Sequence, residues 1–543
     1  MRIVNDYWFD EGDLERFCVP VGSSVAEVTS KMVALGSRTL AVVSESDEYL
    51  GVIGYSKIGD LGSNIDISQV DKGVWCLETS STVLSSIDFV PILSVDRNVI
   101  GCRHRPMDLG REGFPKSVII IGAGYVGFTL GLALAAKGVK VSFIESDLDR
   151  LSCYARGEIP FFEHGLQEVF DNHKEKIEFF DGIKSRPVTS SFVIISVGTP
   201  IDNEHQPRLD HLECAVKSAI DVCENGGLIC FRSTVPVGQT SEISKKFEVF
   251  LKTKNLQVAF CPERTAEGEA IKELSKNPQF IGVETPLALR KAFSLFSVVS
   301  EEAIVYPKFE LAELAKLADN VSRDIYFGVS NFFARIARDF GFSGSSFVKH
   351  LNHNYLRNNL AYPSVGVGGP CLSKDYYLLR ASNGFATDGI SGLGLGRQES
   401  LAGKASMINY VHQLRSKGLA GQIICAGLAF KGKPETSDIR DSIGVQIFKQ
   451  LVAEIPESVV WFDPIVYDED LDELLLQKRL KSLPKFAATH IIVLILNNHS
   501  RWPSIDFSTC VGESYYCHIL DGFNSSSLEF QKIHNQRVVY KPW

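Results

Sequence analysis

The 543-residue sequence contains no Cys-x-x-Cys pair among its 12 cysteines. Zinc-ribbon spacing is therefore absent, and so is the density of a disulfide scaffold; thiols scattered this way usually serve as small buried apolar residues in a reducing compartment. Long apolar runs are also missing: stretches such as Ile491 to Leu496 are far too short to span a bilayer. There is no basic surplus, because 56 Lys and Arg against 65 Asp and Glu leave a net charge of −9. A broad nucleic-acid or anionic-lipid surface is excluded on that ground, whereas a local basic pocket is not. Met1 to Asp6 lacks the basic-then-apolar pattern of a signal peptide, so a cytoplasmic location is expected. His350 and His353 have no evident third ligand, and no metal is expected. Arg335, Arg338 and Lys349 read as a solvated face.

What is present is a chain 45% hydrophobic, 22% charged and 10% aromatic, too long for one ordinary core. Ser117 to Ile121, Phe192 to Val197 and Gln422 to Ala426 are short, rich in Val or Ile, and closed by Gly or a polar turn. With helical periodicity between them, they predict buried parallel strands and an α/β layer architecture from about Lys116 onward. Around Phe309 the strand signals stop, and Glu310 to Leu317 opens a long helix whose character continues to about Asn352. Asn383 to Arg397 reads as a Gly/Ser-rich loop, and a second α/β block runs from about Gly421. The expected division is 1–112, 113–304, 305–400 and 401–543.

The first of these differs from the rest. Thr39 to Val43, a polar turn and Leu50 to Gly54 predict strand, turn, strand and then a short helix. Phe89 to Asp96 and Asn98 to Gly101 form a weaker copy without the trailing helix. This small α+β region resembles a pair of cystathionine-β-synthase-type (CBS) modules, which implies an adenine nucleotide as ligand; the alternative is a β-rich appendage that only packs on the body.

Val118 to Ile121 runs into Gly122-Ala123-Gly124-Tyr125-Val126-Gly127 and then into helical spacing. Gly-x-Gly-x-x-Gly between strand and helix permits a tight turn, close approach to a pyrophosphate and close helix packing. The next strand ends in Glu145, placed to accept from the adenosine ribose hydroxyls and to repel a 2′-phosphate, so NAD is the expected cofactor. Arg150, five residues on, leaves room for NADP.

Gly366-Val367-Gly368-Gly369-Pro370-Cys371-Leu372-Ser373-Lys374-Asp375 holds a cysteine on a tight backbone beside a cation and a carboxylate. Such a thiol can attack a carbonyl where its thiolate is favoured. Together with Ser233 to Gly238, Cys261 to Arg264, Lys316 and Asn320 on one helix face, and Gly427 to Gly432, these motifs resemble the UDP-glucose/GDP-mannose dehydrogenase family over about residues 116 to 520. The resemblance implies two Rossmann-like doubly wound domains joined by a long-helix dimerisation domain, and hence a homodimer. It implies oxidation of a nucleotide sugar at C6 from alcohol to carboxylate with two NAD per turnover. Cys371 would hold the aldehyde as a thiohemiacetal and then a thioester, and Lys316 and Asn320 would face the oxyanion. Glu267 would handle the water, with Thr234 and Asp375 in the same network. Thr199, Thr234, Lys374 and Arg440 would lie on the cofactor side. Glu263, Arg264, Tyr362, Ser364, Gly368 and Lys431 would join Lys316 and Asn320 around the substrate.

Arg264 stands where UDP-glucose enzymes usually carry an aromatic, which favours a UDP-N-acetylhexosamine over UDP-glucose, although that branch often departs from Glu at 267. A β-hydroxyacid type dehydrogenase would share the layout but needs no thiol. A nucleotide-sensing protein on a degraded enzyme body is the alternative from another class, and the full catalytic set speaks against it.

Overall fold

The computed structural model describes residues 115–182, 189–382, 392–419, 421–468, 471–486, 490–505, 507–510, 516–523 and 538–543, together with 2–3, 8–10, 18–21, 23–35, 39–44, 49–54, 76–77, 89–93 and 99–104. Its largest sheet has nine strands. At the centre, parallel strands lie in the spatial order Ile177–Asp181, Lys140–Glu145, Ser117–Ile121, Ser190–Ile195, Cys223–Phe231 and Gln257–Phe260. In chain order this is 3-2-1-4-5-6, the doubly wound dinucleotide-binding arrangement. Val and Ile fill both faces of the central strands, as a sheet covered by helices on each side requires. The winding reverses between Ser117–Ile121 and Ser190–Ile195, and ligands bind beyond the carboxyl ends of strands at such a point. Gln279–Gly282 (antiparallel), Glu302–Tyr306 and Arg2–Ile3 extend the sheet.

Glu302–Tyr306 leads directly into a 31-residue helix, Phe309–Asp339. A second long helix, Leu395–Ser416, packs against it. The two cross closely because both are glycine where they meet: a Cβ on Gly328 would lie 2.7 Å from the Gly396 Cα. This corrects the reading of Asn383 to Arg397 as a loop. Residues 383–391 lie outside the described residues, but Leu395 already opens the helix, and Gly396 serves close packing rather than a turn. The expected boundaries at 304 and 400 likewise fall inside Glu302–Tyr306 and Leu395–Ser416. Arg335 is no free surface cation either, since it pairs with both oxygens of Glu399 at 2.8 and 3.0 Å. Arg338 stacks over the Trp543 ring at 4.3 Å, whereas Lys349 is exposed as expected.

The carboxy-terminal block is a five-stranded, all-parallel sheet in the order Val459–Phe462, Gln422–Ala426, His490–Ile495, Tyr516–Asp521, Val538–Pro542. Its order reverses between Gln422–Ala426 and His490–Ile495. The loops that begin at Gly427 and Asn497 therefore mark its ligand crevice.

Near the amino terminus, hairpin Thr39–Val43/Tyr49–Gly54 recurs fifty residues on as Phe89–Leu93/Val99–His104, with the same pairing and the same register shift before the last residue of the first strand. In each, a short strand, Cys18–Pro20 or Cys76–Leu77, pairs in parallel with the first hairpin strand. A helix, Val25–Leu35, links the first pair, while the segment between Leu77 and Phe89 and both positions of the trailing helices lie outside the described residues. The region is no detached appendage. Val19, Val28, Leu40 and Ile53 are buried in one apolar core with Leu289, Leu295 and Phe296 of the nine-stranded layer, and Arg2–Ile3 is a strand of its sheet.

Candidate active site

Three glycines after strand Ser117–Ile121 do three jobs. Gly122 has φ +96°, and a Cβ there would lie 2.4 Å from the Ser196 carbonyl oxygen. A Cβ on Gly127 would lie 2.1 Å from the Gly122 oxygen, so helix Tyr125–Ala135 can sit this close only without one. Gly124 has nothing within 4 Å of its Cβ position and caps that helix without any side-chain bond. The first-turn N–H groups thus open onto a space of the kind a pyrophosphate fills, and the residues present fit a dinucleotide.

Glu145, at the end of the next strand, is buried. One oxygen accepts from the Ala123 N–H (2.8 Å) and Arg150 Nη1 (3.0 Å), the other from the N–H groups of Ser146 (2.8 Å) and Asp147 (3.0 Å). A carboxylate offers about four acceptor positions, so a ribose hydroxyl enters by displacing Arg150, the only side chain among those donors. Thr199 Oγ1 donates to the Thr234 carbonyl (2.5 Å), tying together the loops beyond the fourth and fifth strands. Tyr125 turns its hydroxyl to Glu163 rather than outward.

The thiol stands at the amino end of helix Leu372–Arg380, with Cys371 as its cap residue. Gly369 brings the loop against the carboxy-terminal block: a Cβ there would meet the Phe430 ring at 2.6 Å, and its N–H donates to the Asp441 carbonyl (3.2 Å). Cys371 is exposed to solvent, with protein packed around it. That enclosure is the largest influence on the thiol and pushes its pKa up, and Asp375 adds to it; Lys316 and Lys374 pull it down. The resting group is therefore a thiol that must lose its proton as it adds to a carbonyl, with two cations to favour that loss. Asp375 is buried, takes Asn320 Nδ2 at 2.6 Å and pairs with Lys374 at 3.0 Å. Lys316 and Asn320, both buried, come from the long helix one turn apart. The structure thus brings Cys371, Lys316, Asn320, Lys374 and Asp375 together.

Glu267 closes the site from the other side. Burial raises its pKa to about 7, with repulsion from Asp438 next; Arg440 (3.6 Å), Lys431 and the Thr436 hydroxyl (3.3 Å) oppose the rise. Lys431 donates to the Glu267 carbonyl at 2.8 Å, so the two lobes meet at this residue. Arg440 is held by Asp438 as well.

Other expected substrate contacts are placed differently. Glu263 is turned inward: it pairs with buried Arg232 and accepts from the N–H groups of Arg264 (2.7 Å) and Thr265 (2.8 Å). Arg264 lies over the Phe280 ring at 3.7 Å and binds Asp319 (2.9 Å) and the Pro278 carbonyl (3.1 Å). Arg264 thus braces the loop against the long helix through Asp319, and Glu263 braces it against Arg232. Ser364 is tied to the long helix and to its own loop: its N–H donates to Asn331 Oδ1 (2.7 Å) and its hydroxyl to the Gly366 carbonyl (3.2 Å). At Gly368 a Cβ would lie 2.5 Å from the Asp441 oxygen, while Tyr362 is exposed. Sequence reasoning missed Glu163, Arg232 and Glu313. The signal for Glu163 was a lone acid in the apolar segment Pro160-Phe161-Phe162-Glu163. Among the described residues no cluster of metal-ligand side chains occurs, and no helix is long and apolar enough to cross a membrane.

Residues 116–300 match the NAD binding domain of the UDP-glucose/GDP-mannose dehydrogenase family, and residues 310–387 match its central domain. UDP-N-acetyl-D-mannosamine dehydrogenase of Escherichia coli K12 is 27% identical over 415 residues, covering 72% of this chain and 95% of that one. The UDP-D-ManNAc dehydrogenase of Pyrococcus horikoshii has a similar structure, with TM-score 0.66 at 24% identity over 78% of this chain and 98% of that one. A UDP-glucose dehydrogenase from Pyrobaculum islandicum gives TM-score 0.62 at 21% identity over 79% and 98%. The structural likeness therefore speaks for the fold and not for the sugar. With the glycine turn, the thiol loop and the motif order in agreement, residues 116–300 and 310–387 are the NAD binding and central domains of the UDP-glucose/GDP-mannose dehydrogenase family, and the protein is an NAD-dependent nucleotide-sugar dehydrogenase.

Proposed function

We propose that the protein oxidises C6 of a UDP-N-acetylhexosamine from alcohol to carboxylate. The observation that carries the reading is the convergence of Cys371, Lys316, Asn320 and Asp375 at one cleft. NAD supplies the electron acceptor when bound, two equivalents per sugar. Lys316 and the Asn320 amide stabilise negative charge on the C6 oxygen. Cys371 adds to the aldehyde carbon, so the intermediate stays tethered as a thiohemiacetal and then a thioester. Glu267 takes a proton from the water that hydrolyses the thioester. Lys431 and the crevice of the carboxy-terminal sheet hold the UDP half, a cation near a strand-to-helix turn being suited to pyrophosphate. The N-acetylhexosamine follows the E. coli relative, which acts on UDP-N-acetylmannosamine. Arg264 adds little to that choice, since its guanidinium is committed to protein partners. UDP-glucose is the alternative sugar. The test is NADH formed per UDP-sugar consumed: two supports the reading and one removes the thioester. A kcat/KM for UDP-glucose above those for UDP-N-acetylmannosamine and UDP-N-acetylglucosamine would replace the sugar.

The working form is proposed to be a homodimer through the long helix. Tyr326, Phe333 and Phe340, seven residues apart, are exposed along one stripe of that helix and its cap, a spacing that suits a helix–helix seam. For the amino-terminal region, the repeated hairpin supports a pair of CBS-like units and an adenine nucleotide as ligand. Titrating ATP, ADP and AMP into Gly124→Val, in which the added side chain occupies the pyrophosphate space, separates that site from the NAD cleft. Loss of all adenine-nucleotide binding in this variant would remove the second site.

A further inference from the structure

Glu267 can do its work only if its carboxylate is aimed, and beyond the Thr436 hydroxyl (3.3 Å) and Arg440 (3.6 Å) that reach the carboxylate itself, the backbone carrying it must be held in place. The next residue, Gly268, has φ +89°, in the left-handed region that favours glycine, and a Cβ there would lie 2.5 Å from the Glu435 carbonyl oxygen. Helix Ala270–Lys276, which follows, has Glu269 at its cap position without a side-chain cap bond. The hold on that backbone from the NAD side comes from a remote loop. Glu163, buried, accepts from the Gly268 N–H at 2.6 Å with one oxygen and from the Ala270 N–H at 2.9 Å with the other. The Tyr125 hydroxyl donates to the first oxygen as well. One residue earlier, the Phe162 N–H donates to Ser437 Oγ of the carboxy-terminal block (3.3 Å). On the opposite side that block holds Glu267 through Lys431, Thr436 and Arg440. The loop around Glu267 is thus clasped from both lobes, and Glu163 is the clasp on the NAD side.

We propose that Glu163 is a positioning residue for Glu267: it fixes the direction of that carboxylate through the backbone on its carboxyl side, and through it the rate of thioester hydrolysis. The inference rests on the reading of Glu267 as the group that handles water. In the step concerned, the water oxygen bonds to the acyl carbon and the C–S bond breaks. One water proton passes to Glu267, and the sulfur leaves as thiolate and is reprotonated as the carboxylate product departs. Glu163→Gln keeps the shape but offers one acceptor oxygen instead of two, so one of the two backbone N–H groups then faces an NH₂ group. The loop loses its aim while the thiol, Lys316 and the glycine turn stay in place.

The experiment is rapid-mix kinetics on the full-length protein with NAD and its best UDP-sugar, paired with intact-mass analysis of the quenched enzyme. For Glu163→Gln, an NADH burst is expected, followed by a steady state slower by roughly tenfold or more, with a UDP-sugar acyl adduct accumulating on Cys371. NAD affinity should stay within about twofold of wild type. Glu163→Asp, which retains two acceptor oxygens, should recover part of the hydrolysis rate. Glu267→Gln run in parallel separates the two readings. No adduct in Glu267→Gln removes the water-handling role itself, and the proposal with it. An adduct in Glu267→Gln but none in Glu163→Gln overturns the positioning role alone, as does a Glu163→Gln defect confined to NAD binding, which would make Glu163 a support of the dinucleotide turn through Tyr125.

Discussion

Glu267 and Cys371 lie close enough to influence each other, and their surroundings decide how each behaves with pH. Glu267 is raised to about 7 by burial and by Asp438, so it gains its basic form only as the pH rises through that value. Carboxylate formation should therefore climb with pH on a limb centred near 7, and Glu267→Gln should abolish that limb. In Asp438→Asn the repelling charge is gone and Arg440 is released from its partner. Both changes lower the Glu267 pKa, so the limb should move to lower pH; a shift upward would show that Asp438 acts by holding Arg440 in place. Cys371→Ala removes the tether without touching the glycine turn. It should lose uronate formation by at least about 10³-fold, the scale of losing a covalent nucleophile, while NAD binding measured by fluorescence titration stays near wild type. Near-normal uronate formation in that variant would rule out the covalent route. Most of these residues were visible in the sequence because the chemistry demands particular types at close spacing: glycines where no Cβ fits, a thiol after Gly-Gly-Pro, and Lys316 and Asn320 one turn apart. Arg264 and Glu263 show the converse. A charged residue in a conspicuous motif looks like a ligand contact, and only the fold shows that Arg232, Asp319 and Phe280 already occupy it.

At the scale of elements, the long helix does more than carry two catalytic side chains. Glu313, three residues before Lys316, is buried and accepts from the N–H groups of Gly238 (2.6 Å) and Thr240 (2.9 Å), at the start of helix Gln239–Lys246. It thereby caps a helix of the NAD layer from outside and sets the distance between the loop holding Thr234 and the face holding Lys316. Burial raises its pKa to about 7 against the pull of those hydrogen bonds. A carboxyl whose folded pKa exceeds its unfolded value contributes stability that is complete below the unfolded value, about 4.5, and is lost as pH rises through about 7. The wild type should thus lose up to about 3 kcal/mol relative to Glu313→Gln across that window, read as the difference in urea-unfolding free energy at pH 5 and pH 8. At pH 5 the variant should be the weaker protein, because one of the two N–H groups loses its acceptor. A pH-independent difference would show that Glu313 keeps one protonation state throughout. None of this was legible beforehand: Glu313 lies in a helical heptad among alanines and leucines and looks like an ordinary surface acid until helix Gln239–Lys246 is placed against it.

For the molecule as a whole, the α/β layers were readable because buried parallel strands announce themselves as short Val/Ile runs, and the long helix because strand signals stop where it begins. The helix Leu395–Ser416 was hidden by glycines that serve close packing, and the boundaries were blurred because one strand and one helix run through them. The exposed stripe of Tyr326, Phe333 and Phe340 makes a prediction at this scale: Phe333→Asp should shift the mass in sedimentation velocity from dimer to monomer. An unchanged dimer would move the interface off that face. The short strand Arg2–Ile3 has a further consequence, one of timing. Its partner, Glu302–Tyr306, lies some three hundred residues later in the chain. At synthesis rates of about 5–20 residues per second, Arg2 and Ile3 wait roughly 15–60 s before Glu302 and Ala303 exist to pair with them. The segment that leaves the ribosome early is thus among the last to be secured, and it then covers the sheet edge left open in the meantime, where unpaired N–H and C=O groups could recruit a neighbouring chain. The amino-terminal region acts as the late closure of the catalytic sheet, and a chain shortened there would carry that exposed edge permanently.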